Sequence, residues 1–116
     1  MIINESTFEI TTSQYDYGVP VFFRARTDNG WQLGDEIVLC FDNVIDDKRF
    51  TVDKADYIAE FALTEQEAEA LFSKALIYKV SLPYSAKRYR NGKYRQTIFD
   101  SKLTVKSTVK MEDDNE

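Results

Sequence analysis

The chain has 116 residues, which fits one domain because single hydrophobic cores are usually built from about 100 to 150 residues. The formal net charge of −5 disfavours nonspecific binding to nucleic acid or to an anionic membrane, since both depend on a basic surface. The sequence contains no histidine and therefore lacks the residue most often used as a general base or metal ligand.

Short apolar segments with a two-residue period predict strands in the N-terminal half. In the first, Phe8 and Ile10 alternate with polar residues, the pattern of a half-buried strand. The run 37–41 is apolar throughout and is interpreted as a central strand that buries the thiol of Cys40. The predicted strands cover residues 7–11, 19–26, 37–41, 50–52 and 57–63, with a turn at 28–30 and a polar link over 42–49.

One helix is predicted after the fifth strand. Thr64 is followed three residues later by Glu67, the spacing of a capping box in which each side chain bonds the backbone N–H of the other residue. Ala68, Leu71 and Phe72 then share one face through spacings of three and four residues. A short helix near residues 65–72 is therefore expected to pack its apolar face on the sheet.

The C-terminal part of the sequence predicts a hairpin and an acidic tail. A strand over residues 76–82 is followed by a charged loop at 85–91, and Asn91-Gly92 is a strong hairpin turn pair. The chain is then expected to return as strands over 94–99 and 103–106. Acidic residues gather at the end of the sequence, so residues 111–116 are predicted to be a disordered, solvated tail.

These elements predict a mainly β fold of about seven or eight strands with one short helix. The expected architecture is an antiparallel β-sandwich, either immunoglobulin-like or a flattened barrel, because a parallel βαβ fold would need more helices. Residues 1–110 are assigned to a single β-sandwich domain, and residues 111–116 to the acidic tail.

Basic residues and tyrosines are interleaved around the predicted hairpin turn. Such a ribbon could bind phosphates while stacking bases, form a solvated hairpin tip, or contact a protein through the Tyr and Arg that interfaces favour. The acidic remainder of the chain disfavours nucleic acid, so a protein interface or a solvated tip is preferred. The candidate interaction residues are Tyr84, Lys87, Arg88, Tyr89, Arg90, Lys93, Tyr94 and Arg95.

The sequence offers no clear pattern for catalysis, a cofactor or a metal. Cys40 lies in the most apolar run of the chain, where a thiol is not activated as a nucleophile. Nothing selects a carboxylate pair for glycoside hydrolysis, and the link 42–47 lacks the ligand spacing of an EF-hand loop. The chain is therefore expected not to be an enzyme and to need neither cofactor nor metal.

Several features occur in an order that resembles a known family. They are the Gly34-Asp35 start of an apolar strand, the helix over 63–71, the strand 76–80, the turn 91–94 and the closing strand 103–105. Over about residues 33–106 they resemble the small β-sandwich modules of tailed-phage and prophage baseplates, especially the N-terminal domain of baseplate upper proteins. Those proteins carry a long C-terminal extension, whereas a short acidic tail follows here. The resemblance implies a non-enzymatic structural protein that docks to other phage tail or baseplate proteins or to itself.

Two other functions and the location of the chain also follow from the residues. A carbohydrate-binding or adhesive module would use Trp31 and exposed tyrosines as platforms for sugar rings. A single-strand nucleic-acid binder would use Lys87, Arg88 and Arg90 with the neighbouring tyrosines. The sequence has neither a secretory signal nor a membrane-spanning stretch, which predicts cytoplasmic synthesis and no membrane partner. Association with a virion would follow from the resemblance.

Overall fold

The computed structural model describes residues 1–13, 18–42, 44–72 and 79–106. Within these residues the chain forms eight β-strands and one α-helix, so the prediction of a mainly β protein with one short helix is confirmed. The strands are β1 (Ile2–Ile3), β2 (Ile10–Ser13), β3 (Val21–Arg26), β4 (Glu36–Phe41), β5 (Ile45–Thr51), β6 (Asp56–Phe61), β7 (Lys79–Arg90) and β8 (Lys93–Lys106). The helix α1 (Glu65–Phe72) follows β6. No helix in this part of the chain has the length and apolar character that a membrane crossing requires.

The strands form two sheets of unequal size. Six of them pair in the order β1-β2-β8-β7-β4-β5 and curve as a half-barrel, whereas β3 and β6 form a separate two-stranded sheet. Among the described strand pairs, β2 with β8 is parallel and the others are antiparallel. The predicted antiparallel sandwich is therefore corrected to a mixed half-barrel sheet with a small second sheet.

The length of the β7–β8 hairpin explains why the chain does not form a clear sandwich. The charged loop predicted at 85–91 is wrong up to residue 90, because β7 continues through Arg90. The two strands predicted over 94–99 and 103–106 are one strand, β8. These long strands keep β2 and β4 in the same curved sheet, and only β3 and β6 remain for a second layer. The turn itself is confirmed: Asn91 and Gly92 have φ values of 55° and 76°, as a type I′ hairpin turn requires.

A row of aromatic rings joins the two sheets inside the core. Phe41 of β4 stacks on Phe61 of β6 with 5.2 Å between ring centroids, and on Tyr84 of β7 with 5.5 Å. Tyr84 meets the ring of Phe99 of β8 edge-on at 5.6 Å, and Phe99 lies 6.1 Å from Phe23 of β3. Ring pairs of this kind stabilise a fold by about 0.5–1.5 kcal/mol each beyond their buried area. Both strands of the small sheet are therefore tied to the half-barrel through one aromatic row.

Helix α1 begins with the predicted capping box. The Glu67 N–H donates to the Thr64 hydroxyl at 3.1 Å, and the Thr64 N–H donates to the Glu67 carboxylate at 3.0 Å. Ala68 and Leu71 are buried, as the spacing predicts. Lys48 of β5 forms an ion pair with Glu67, so the first turn of the helix is also linked to the edge of the half-barrel.

Two other predictions fail where edge strands and unusual backbone angles are involved. The polar link predicted over 42–49 is wrong from Ile45 onward, because β5 begins there. β5 is an edge strand, and edge strands carry charged residues that discourage pairing with other chains. The strand predicted over 7–11 is β2, which begins at Ile10 instead of residue 7, because Phe8 has a φ of 62° and leaves the extended region. The predicted tail 111–116 and the start of the predicted strand 76–82 lie outside the described residues.

The capping box predicts the effect of a single substitution. We expect Thr64→Ala to lower the free energy of unfolding by about 1 kcal/mol, because the Glu67 N–H loses its acceptor. Thr64→Ser keeps the hydroxyl and should stay within about 0.5 kcal/mol of the parent chain. Urea denaturation followed by circular dichroism measures both, and equal stability of the two variants would contradict the role given to this hydroxyl.

Candidate functional site

An apolar groove separates β3 of the small sheet from β8 of the half-barrel. Its volume is about 300 Å³, and we call it the seam groove. The N-terminal segment forms one wall, and inward residues of β4 and β7 form its floor. The lining includes Phe8, Phe22, Trp31, Ile37, Ala86, Ile98 and Phe99.

The seam groove is bordered by strand edges that have no partner strand in the described residues. β3 pairs with β6 along its whole length and with no strand on its other side. β8 pairs with β7 throughout, but β2 covers its other side only from Leu103 onward. Phe22, Phe23 and Arg24 are consecutive and all line the groove. Because neighbouring residues of a strand point to opposite faces, the groove runs along the edge of β3 instead of over one face.

Large apolar side chains are exposed at the rim of the seam groove. Phe22 is 56% exposed, Ile98 39% and Phe8 37%. Ile98 reaches this position through a β-bulge, because the β7–β8 register shifts between Ala86 and Lys87 and leaves Ile98 as an extra residue. Exposed apolar side chains gathered around a concave site are typical of a binding surface.

The N-terminal loop forms a fixed wall of the groove. The Asn4 side-chain oxygen accepts hydrogen bonds from two backbone N–H groups of the loop, at 2.8 and 3.1 Å. The positive φ of Phe8 costs a bulky residue about 1–3 kcal/mol. Two contacts offset that cost: the Phe8 ring stacks on Phe99 with 4.2 Å between centroids, and the Tyr84 hydroxyl donates to the Phe8 carbonyl. The wall is therefore anchored to the aromatic row of the core.

Arg88 holds Trp31 at one end of the groove. Its guanidinium lies 5.0 Å from the centre of the Trp31 ring, which is a cation–π contact. It also donates to the Gly30 carbonyl at 3.0 Å and to the side-chain oxygen of Gln96. One face of Trp31 is thus covered by Arg88. Its Nη1 and Nη2 groups donate to groups within the chain, whereas its buried Nε has no hydrogen-bond partner in the described residues.

Asp35 and Arg90 fix the hairpin tip to the loop before β4. Arg90 donates two hydrogen bonds to the Asp35 carboxylate, at 2.7 and 2.9 Å, and the Gln32 N–H donates a third at 2.8 Å. The Asp35 side chain is 1% exposed. The hydrogen bonds from Arg90 hold the pKa of Asp35 below its usual value, although burial acts in the opposite direction. This bidentate pair is structural, because its donors and acceptors are used within the chain.

The outer face of the half-barrel carries a second group of the candidate interaction residues. Lys87 and Tyr89 alternate with inward residues of β7 and therefore point away from the groove. The Tyr89 ring meets Tyr94 edge-on at 6.0 Å, and the Arg49 guanidinium lies 5.1 Å from the centre of the Tyr89 ring. These side chains make a solvent-facing patch of rings and cations.

The candidate interaction residues therefore do not form one surface. Tyr84 is 2% exposed and belongs to the core, where burial raises the pKa of its hydroxyl. Arg88 and Arg90 are engaged in the contacts described above, and the period of two divides the others between faces. The members exposed at the hairpin tip are Lys93, Tyr94 and Arg95. Whether they contact a partner stays a prediction.

Sequence reasoning did not find the seam groove, although one signal was present. In Val21-Phe22-Phe23 an apolar residue occupies a position that alternation assigns to solvent. An outward Phe on a predicted strand indicates either a second buried face or an uncovered contact surface. The bulge that brings Ile98 to the rim has no comparable signature in the sequence, since it depends on the register between β7 and β8.

The described residues contain no group of three or more Cys, Asp and Glu side chains placed to hold a metal ion. Cys40 lies in β4 and is partly buried. Burial and the nearby Asp47 raise the pKa of its thiol, which favours the unreactive protonated form. The expectation that the chain is not an enzyme stays a prediction.

The Asp35–Arg90 pair predicts a pH-dependent stability. Because the folded-state pKa of Asp35 is lowered, its stabilising contribution is complete above the unfolded-state pKa of about 3.9 and is lost as the pH falls through the folded-state value. We expect Asp35→Asn to be about 2 kcal/mol less stable than the parent chain at pH 7. That difference should shrink below about pH 4.

Urea denaturation between pH 7 and pH 3 measures this difference. Asp28→Asn provides a matched control, because Asp28 also pairs with an arginine, Arg26, but at an exposed position, where ion pairs contribute little. A stability difference for Asp35→Asn that does not change with pH would show that its carboxylate is not the group responsible.

No protein-family model matches the sequence, and a search of curated proteins found no match either. The resemblance to baseplate modules stays a prediction that rests on the sequence features given above.

Proposed function

We propose that the chain is a non-enzymatic interaction module that docks another protein in the seam groove. The setting implied by the sequence resemblance is the tail or baseplate of a phage or prophage. The observation that carries the proposal is the exposure of Phe22, Ile98 and Phe8 around a concave site that lies between two unpaired strand edges.

Physical reasoning supports a docking role for this site. Exposed apolar groups contribute about 25 cal/mol per Å² when a partner removes them from water. The walls are preformed, because Phe8 and Trp31 are held by contacts with other parts of the chain. A preformed site loses less conformational entropy on binding, which leaves more of the contact energy for affinity.

The same proposal accounts for an open strand edge. In the described residues the six-stranded sheet has its edges at β1 and β5, and the two-stranded sheet has its edges at β3 and β6. We propose that a docked partner segment fills the seam between β3 and β8 and covers the edge of β3. An open edge that is covered in an assembly is a common solution to the risk of uncontrolled strand pairing.

The two alternative functions are less well supported by the geometry. Single-strand nucleic-acid binding would need cations free to contact phosphates, but Arg88 and Arg90 donate to groups within the chain. Sugar stacking would need an open ring face, and Arg88 covers one face of Trp31. Tyr94 is exposed on the outer face, but the ring beside it in the described part of the chain, Tyr89, meets it edge-on and not in parallel.

Substitution of Ile98 tests the docking site. We expect Ile98→Glu to weaken the complex with a cognate protein by at least about tenfold, because it places a charge in an apolar contact. Ile2→Glu is the matched control, since Ile2 is an exposed isoleucine of β1 that does not line the groove. The candidates for the cognate protein are the products of the genes adjacent to this one, co-expressed and purified with the chain.

Size-exclusion chromatography with light scattering measures complex formation, and calorimetry measures the affinity. Circular dichroism confirms that both variants fold. Equal affinity for the two variants would place the docking surface elsewhere. If no adjacent gene product binds and the chain remains a monomer at high concentration, the proposed function is wrong.

A further inference from the structure

We infer that the seam groove receives one extended segment of a partner protein, added as a strand to the free edge of β3, with apolar and acidic residues in alternation. This inference rests on the proposed function and specifies the mode of docking. Strand addition uses backbone hydrogen bonds for affinity and alternate side-chain pockets for specificity.

Because β3 is regular, its edge is a better pairing partner for an added strand than the edge of β8. β3 pairs with β6 without a register shift over six consecutive residues. The free part of β8 is interrupted twice, because register shifts against β7 leave Arg95 and Ile98 as extra residues. Bulges of this kind disturb the spacing of hydrogen-bonding groups and protect an edge from pairing. An added strand should therefore pair with β3 and contact β8 through side chains only.

Buried and exposed residues alternate along β3, and this alternation predicts which kind of residue an added strand needs on each face. Phe23 is buried on the inner face, whereas Phe22 and Arg24 point outward. Residues of an added strand opposite Phe23 would face the groove floor at Ile37 and Phe99 and should be apolar. Residues beside Arg24 would lie on the outer face, where cross-strand pairs of opposite charge are favourable.

The charges around the groove favour an acidic segment. Arg24 uses its Nε and Nη2 groups in the pair with Asp56. Because a guanidinium has five N–H donors, Arg24 can donate to a further carboxylate. Lys93 and Arg95 are also exposed on β8, but they lie outside the lining of the groove, so the preference for an acidic residue depends on Arg24. The acidic residue among those that line the groove is Glu5.

The same charges disfavour a second copy of β3 as the occupant. Arg24 and Arg26 occupy alternate positions on the outer face of the strand. Two copies paired edge to edge would bring these cations close to one another, and like charges in neighbouring cross-strand positions destabilise a pair. A partner segment with carboxylates at the outward positions avoids this repulsion.

Peptide titration tests the inference directly. The probe is a peptide of about nine residues in which valine alternates with aspartate, long enough to cover the six residues of β3. The control peptide has lysine in place of each aspartate. Trp31 is the only tryptophan in the chain and lines the groove, so its fluorescence reports occupancy. Hydrogen exchange of the 21–26 amides reports strand pairing.

We expect the aspartate peptide to change Trp31 fluorescence and to protect amides of β3, and the lysine peptide to bind at least about fivefold more weakly. Arg24→Glu should reverse this preference. Arg49→Glu is the matched control, because Arg49 is also a half-exposed arginine paired with a carboxylate, Glu36, but lies outside the groove. The Arg49→Glu variant should still prefer the aspartate peptide to the lysine peptide.

Four results would overturn the inference. Equal binding of the two peptides would exclude the acidic segment, and protection of residues 93–98 instead of 21–26 would exclude β3 as the template. Tighter binding of a peptide with the sequence of residues 107–116 would identify the C-terminal sequence of this chain as the occupant. If neither alternating peptide binds but Ile98→Glu still disrupts the complex with an adjacent gene product, the proposed function holds and strand addition is wrong.

Discussion

The packing of one aromatic row determines how the two sheets of this protein are held together. The rings run from Phe61 through Phe41 and Tyr84 to Phe99, and Phe23 returns the contact to the small sheet. In the described residues β3 and β6 share no strand pairing with the half-barrel, so side-chain packing is the main contact that positions them. A sheet of two strands is marginal in water by itself, and the row supplies the hydrophobic contact that it needs.

The position of that row also explains why the seam groove is preformed. Its last members, Phe99 and the Phe8 ring stacked on it, lie at the border between core and groove. The hydroxyl of Tyr84 adds a polar contact to the Phe8 carbonyl, so the strained loop and the core are fixed by the same residues. The groove wall that Phe8 forms is therefore anchored to the core, although its outer surface faces solvent.

Local patterns in the sequence predict the elements of this fold better than their arrangement. The capping box at Thr64 and the turn at Asn91 are specified by neighbouring residues and are found as predicted. The parallel pairing of β2 with β8 and the bulge at Ile98 depend on residues far apart in the chain. Two segments rich in charged residues, β5 and the end of β7, are wrongly predicted as loops. They have the composition of loops but pair as strands.

The interleaved basic and aromatic run shows why composition alone could not define the site. A period of two sends Arg88 and Arg90 to the inner side, where they hold Gly30 and Asp35, and sends Lys87 to the outer face. The inward cations hold Trp31 and the loop before β4 in place, and Lys93 stays exposed at the hairpin tip. Burial and pairing therefore decide which charges of the chain a partner meets.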